Sequence, residues 1–216
     1  MLVVFGAGGC AKELEWLISD LNSFQEQKIA IDRFVARNVS TAQFLGKPLE
    51  EEDVFFSGNT GKNDLSVFIA VGNCFIREKV YKSIISNIPG DIHFPVVIHP
   101  SVKRDTREGR LTYGKGNIIC ASVIIMPDVR MGDFNYISLN SIIGHDSVIG
   151  SFVTIFPGVS IAGNVTIHER VLIGAGSIII ENISICKDVI IGAGSVVTRN
   201  IEEPGTYVGI PAKRIK

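Results

Sequence analysis

The chain has 216 residues, 46% of them hydrophobic, and a formal net charge of -1. It is long enough for one or two domains with real cores, and it has no basic field to draw it to nucleic acid or an anionic membrane. No run approaches the ~18 apolar residues of a membrane-crossing helix, and the start from Met1 to Gly9 has neither a charged leader region nor a cleavage site, so a cytoplasmic protein is expected.

Leu2 to Phe5 is a short apolar run broken by Gly6-Ala7-Gly8-Gly9, and from Ala11 the apolar positions Leu14, Leu17, Ile18 and Leu21 recur at helical spacing. That is strand, glycine turn, helix. Such a turn lets the backbone close on a ligand, and the helix start offers free N–H groups to phosphate. A second apolar run, Ile29 to Ile31, ends in Asp32-Arg33; a third, Val67 to Val71, ends in Gly72-Asn73 before a helix from about Phe75 to Ser86. Strands alternating with helices predict a small parallel α/β sheet whose ligand edge carries Gly8, Asp32 and Gly72. Gly6-x-Gly8-x-x-Ala11 followed by Asp32 also fits a dinucleotide fingerprint, but about 95 residues hold only half of a two-lobed dinucleotide fold. A nucleotide-linked small molecule is the favoured ligand, with NAD and a purely structural glycine turn as the alternatives.

Near Phe94 the chain changes character, which predicts two domains, 1–94 and 95–216. Pro95 and Pro100 bracket Val96 to His99, Ile98-His-Pro-Ser-Val102 reads as a first, out-of-phase hexad, and the charged stretch Lys103 to Arg110 reads as a loop. From Ile119 to Val197 the chain then repeats in sixes, with Ile119, Ile125, Met131, Ile137 and so on aliphatic at every first position and small or β-branched residues at every fifth. A period of six suits a solenoid in which each hexad is a short strand and a turn. Three hexads make one triangular coil, and coils stack at about 4.8 Å, so residues eighteen apart lie one above another.

Four histidines are present, His93, His99, His145 and His168. His145 occupies a third position, at a corner of the prism, with Asp146 next in the chain. An imidazole beside a carboxylate is what a general base working near neutral pH needs; a solvated corner histidine with an incidental neighbour is the plain alternative. One coil above His145 is Gly163, which has no side chain to block a reacting group and a backbone N–H able to receive an oxyanion. His168 reads as exposed structure. No two histidines are a multiple of eighteen apart and Cys10, Cys74, Cys120 and Cys186 lack ligand spacing, so no metal is expected and the cysteines read as free thiols of a reducing compartment.

Together, GAGGCAKE at the start, FIAVGN before a helix, IHPSV, the unbroken hexads, GHD, and the ending Tyr207-Val-Gly-Ile-Pro-Ala-Lys-Arg214 resemble the NeuD/PglD group of bacterial sugar acyltransferases over essentially the entire chain. The resemblance implies a Rossmann-like α/β domain followed by a left-handed parallel β-helix, and transfer of acetyl from acetyl-CoA to a nucleotide-linked sugar for surface glycan biosynthesis. It also implies homotrimers with active sites between neighbouring β-helices, His145 as base and Asp146 as its support. Carried over by position, Gly8, Gly9, Cys10, Asp32, Arg33 and Gly72 would hold the nucleotide-sugar, and Thr154, Ala175 and Ala193 would contact CoA. This chain departs from the group at Cys10 and Thr154, where histidine is common, at Arg33, often a second acid, and at Ser138, usually asparagine. The expected acceptor is the amine of a nucleotide-linked 4-amino-4,6-dideoxy sugar; the alternatives are a sialic acid hydroxyl and an inactive β-helix scaffold or binding protein.

Overall fold

A computed structural model describes residues 1–58 and 64–216, and the chain divides into two compact units, Met1–Val96 and Val97–Lys216. Phe94, near which the change of character falls, is buried in the first unit with its ring 5.5 Å from that of Tyr81.

The first unit is an α/β domain. Its elements are β1 (Leu2–Phe5), α1 (Gly9–Phe24), β2 (Arg33–Ala36), β3 (Gln43–Phe44), β4 (Lys47–Glu51), α2 (Glu52–Gly58), β5 (Leu65–Ile69), α3 (Cys74–Asn87) and β6 (Ile92–His93). The sheet order is β3-β4-β2-β1-β5-β6, parallel except for the antiparallel β3–β4 pair. Val3, Val4, Phe34, Val35 and Val67 are fully buried, the unbroken apolar pattern of strands covered on both faces. Helix α1 turns Ala11, Leu14, Leu17 and Ile18 inward, and α3 begins where the Asn73 side chain accepts the Ile76 N–H at 3.1 Å, satisfying one of the donors a helix start leaves unpaired.

The second strand lies four residues later than the apolar run Ile29 to Ile31 suggests. Ile31 is buried but outside any strand, and Phe34 and Val35 instead pair with Val4 and Phe5 of β1.

The second unit is a three-sided parallel β-helix. Its strands fall into three sheets of eight, six and five strands, and from Ile118 to Val197 they pair at a spacing of eighteen residues, as Ile119 with Ile137 and Ile155 with Ile173. The first-position aliphatics fill the interior, with Ile137, Ile143, Ile155, Ile173, Ile179 and Ile191 at 0% exposure; each stabilises the prism by ~1.5–3 kcal/mol relative to exposure. The stacked parallel sheets and the six-residue repeat fit a left-handed β-helix. The regular coils begin earlier than the repeat suggests: Lys103–Arg104 already pairs with Ile124–Ile125, so only Asp105 to Arg110 is thrown out as a loop.

Each corner is made by the fourth residue of a hexad. From Ser122 to Gly194 all of these residues have φ between 55° and 70°, the left-handed region that glycine, asparagine and aspartate enter at least cost. Asn140, Asp146, Gly158, Asn164, Gly176 and Asn182 follow that preference. No helix among the described residues is long and apolar enough to cross a membrane.

Candidate active site

His145 lies at the corner between the second and third sheets, just after the strand Ile142–Ile143. Adjacent coils approach closely here, because a Cβ on Gly144 would strike the Ala162 carbonyl. The imidazole is 58% exposed, and its Nδ1 lies 2.7 Å from Asp146 Oδ2. That contact assigns the Nδ1 proton to a bond donated to the carboxylate and leaves the Nε2 lone pair outward, as a base requires. The left-handed backbone at Asp146, φ 59°, brings the neighbouring carboxylate round to the ring.

Gly163 sits on the next coil, and a Cβ there would come within 2.6 Å of both Cε1 and Nε2 of His145. The ring edge therefore lies over a residue without a side chain. The coils are tied at this point by the Asn164 N–H, which donates to the His145 carbonyl at 2.7 Å, whereas the Gly163 N–H donates to no group among the described residues. His168 is exposed on the surface.

Ala175 and Ala193 are exposed and stacked at the corner between the first and second sheets, where the Gly194 N–H donates to the Ala175 carbonyl at 2.9 Å. The second sheet separates this corner from that of His145. Thr154 does not join the alanines. It pairs with Tyr136 and Leu172 in the first sheet and is 0% exposed, so its expected contact with CoA is corrected: the side chain is withdrawn from the groove. Ser138 is likewise buried, with an Oγ that has no hydrogen-bond partner among the described residues.

In the first unit, Gly8, Gly9 and Gly72 gather at the carboxyl ends of β1 and β5. Gly6 makes the turn possible: its φ is 122°, a Cβ would be 2.5 Å from the Ala70 carbonyl oxygen, and its N–H donates to Val35 at 2.8 Å. Gly8 and Gly9 face open space, with nothing within 4 Å of an added Cβ. Cys10, half-buried, follows in the first turn of α1. Arg77, only 2% exposed, donates to the carbonyls of Val71 at 2.6 Å and Gly72 at 3.1 Å. It locks the second turn, a role that no spacing in the sequence announces.

Asp32 and Arg33 are not at this edge. Asp32 accepts the Leu2 N–H at 2.7 Å and Arg33 pairs with Val3 at the start of β2, so both stand at the amino end of the sheet. The expectation that they join Gly8 and Gly72 is corrected by the later start of β2. At its carboxyl end stand Arg37 and Asn38, which with Ala7, Phe44 and Leu49 border a cavity of about 380 Å³. Arg37 is held by Glu52, whose Oε2 accepts its Nε at 2.5 Å. Burial pushes the Glu52 carboxyl up, but hydrogen bonds from Arg37 and Ser83 and the guanidinium charge outweigh it and hold the carboxyl below its ordinary value. The polar pair Arg37-Asn38 directly after the apolar Phe34-Val35-Ala36 was the available signal. No group of three or more His, Cys, Asp or Glu side chains among the described residues could hold a metal ion.

Comparison with known proteins gives a consistent answer for both units. Residues 1–84 match the PglD N-terminal domain, and residues 146–180 and 164–199 match the bacterial transferase hexapeptide family. Among solved structures, the acetyltransferase domain of PglB from Neisseria gonorrhoeae superposes with a TM-score of 0.84 at 25% identity, covering 99% of this chain and 98% of that one. PerB from Caulobacter crescentus, solved with CoA and GDP-perosamine, gives 0.82 at 27% identity, covering 100% and 97%. WeeI from Acinetobacter baumannii gives 0.82 at 26% identity, covering 100% and 99%. No curated protein sequence matches. With a PglD-type amino-terminal domain, hexapeptide-transferase repeats and a likeness to these acetyltransferases over its full length, the chain resembles the NeuD/PglD-like sugar acetyltransferases in both units.

Proposed function

We propose that this enzyme transfers acetyl from acetyl-CoA to the amine of a nucleotide-linked amino sugar, a 4-amino-4,6-dideoxy sugar, for a bacterial surface glycan. The observation that carries the reading is the His145 imidazole, bonded through Nδ1 to Asp146 and laid over the side-chain-free Gly163. PerB, similar over its whole length, is solved with CoA and GDP-perosamine, which supports both the thioester and the nucleotide amino sugar. The first unit is read as a Rossmann-like nucleotide domain, with Gly8, Gly9, Cys10 and Gly72 at its ligand edge.

In the reaction, the neutral amine attacks the thioester carbonyl carbon and a C–N bond forms. The oxyanion takes a hydrogen bond from the Gly163 N–H, and His145 Nε2 removes the proton that the nitrogen sheds. Collapse breaks the C–S bond, and the thiolate leaves and is protonated from the imidazolium. An amine suits this site because it needs only late proton removal, whereas a hydroxyl must lose its proton as it attacks. No acyl-enzyme is invoked: the serines that meet an imidazole are Ser66 with His93 at 3.3 Å and Ser101 with His99 at 2.8 Å, and no serine or cysteine is bonded to His145 among the described hydrogen bonds.

The enzyme is read as a homotrimer. Ala175 and Ala193, which would line the CoA groove, stand one prism corner away from His145, so a site holding both takes them from two subunits. Both substrates are cytoplasmic compounds, and the enzyme is placed there.

The test is CoA release with UDP-, dTDP- and GDP-linked 4-amino sugars, beside free and CMP-linked sialic acid. Turnover with a nucleotide-linked amino sugar is expected, and His145→Ala should lower kcat by about 10²-fold or more, the scale of a positioned base. Turnover confined to sialic acids, or near-normal kcat in a folded His145→Ala, overturns the reading.

A further inference from the structure

Arg37 extends from the carboxyl end of β2 beside the cavity bordered by Ala7, Asn38, Phe44 and Leu49. Its side chain is 69% exposed, yet it is not loose. Glu52, at 3% exposure, grips the guanidinium side-on, Oε2 accepting Nε at 2.5 Å and Oε1 accepting Nη2 at 3.1 Å. Oε1 also accepts the Ser83 hydroxyl at 2.8 Å, which fastens the carboxylate to α3. What remains includes the end of the fork, one hydrogen on Nη1 and the second on Nη2, neither with a partner among the described residues. Two parallel N–H groups at that spacing match two adjacent acceptors. The neighbouring amides of Asn38 and Val39 are already taken by the Glu51 carboxylate, at 2.9 and 2.8 Å, and none of the cavity's lining residues is acidic.

The geometry points to Arg37 as the residue that reads the base of the nucleotide, with guanine as that base. Among guanine, adenine, uracil and thymine only guanine offers adjacent acceptors, O6 and N7, because thymine and uracil set a carbon or an N–H beside O4 and adenine places an amino group where an acceptor is needed; cytosine's adjacent pair, O2 and N3, abuts the glycosidic nitrogen. Glu52 is the positioning residue that turns the fork outward. The inference rests on the nucleotide-sugar reading above and names its nucleotide as a guanosine diphosphate.

The test is equilibrium binding of GDP, UDP, dTDP, ADP and CDP, at one salt concentration, to the wild type, Arg37→Lys and Arg37→Ala, with thermal melts to establish folding. Arg37→Lys keeps a cation against Glu52, so it serves if Arg37→Ala is unstable. The wild type should bind GDP roughly 5- to 150-fold tighter than the others, the span of one bidentate base contact. Both variants should lose that preference while binding of UDP changes little. The inference is overturned if the wild type binds UDP, dTDP, ADP or CDP as tightly as GDP or binds no diphosphate, if the preference survives in Arg37→Lys, or if every nucleotide weakens alike, as a simple phosphate cation requires. Acetyl transfer is read separately by CoA release: selective GDP binding without turnover leaves this inference standing and removes the proposed reaction, and turnover with UDP-linked sugars alone does the reverse.

Discussion

Gly163 is a position where one methyl group separates structure from chemistry. A Cβ there would sit 2.6 Å from Nε2 and Cε1 of His145, so the imidazole, free to move on its exposed side, must swing away. The backbone of Gly163 is outside the left-handed region, so alanine brings no backbone strain there, and the three atoms nearest its Cβ all belong to His145. Gly163→Ala is expected to lower kcat at least tenfold while leaving the melting temperature within a few degrees of wild type, because displacing a base costs rate rather than packing. Steady-state kinetics beside a thermal melt decide it, and an unchanged kcat removes Gly163 from the site. Asp146 serves two ends at once. Aspartate suits the left-handed corner that every hexad needs, and the same backbone turn sets its carboxylate 2.7 Å from Nδ1.

At the scale of an element, α2 is anchored by its first residue. Glu52 is buried between Arg37, which follows β2, and Ser83 of α3, so one carboxylate joins three segments. Its carboxyl is held below the ordinary value, which means the folded state gains stability from its charge above the ordinary carboxylate pKa and loses it as pH falls through the depressed folded value. Glu52→Gln should therefore destabilise the protein near pH 7 by ~1–2 kcal/mol, the low part of the range for charged hydrogen bonds since Arg37 is largely exposed. The gap to wild type should shrink below about pH 4. Melts of both proteins from pH 7 to pH 3 test this, and a gap that stays constant contradicts it. None of this was legible in the sequence, where Glu50-Glu51-Glu52-Asp53 reads as a solvated acidic run.

Across the whole molecule, the feature that calls for a partner is the outer face of the second sheet of the prism. Ile124, Ile142 and Ile178 occupy one stacked column there and are 37%, 38% and 45% exposed. Threefold packing would cover them, and Ile142→Lys should yield monomers in sedimentation with CoA release reduced by at least tenfold, since the proposed groove takes residues from two subunits. A monomeric wild type at micromolar concentration, or a fully active Ile142→Lys monomer, contradicts the trimer.

The sequence by itself determined the β-helix and the pairing of His145 with Gly163, because a strict six-residue period turns separation along the chain into stacking in space. A residue eighteen positions on is a neighbour, and no other part of the fold need be known. It also carried, in the run of Asn, Asp and Gly at fourth positions, a corner rule that reading for aliphatic periodicity overlooks. Only the tertiary structure decided which residues stand at the carboxyl edge of the first unit's sheet. The extent of β2 depends on its pairing with β1 across thirty residues, and both Ile29 to Ile31 and Phe34-Val35 are apolar enough to be the strand. The choice between them moved Asp32 to the far edge and put Arg37 at the cavity. The Arg37–Glu52–Ser83 contacts follow the same logic: they join residues of separate elements, and nothing periodic in the chain records which charges meet once those elements pack.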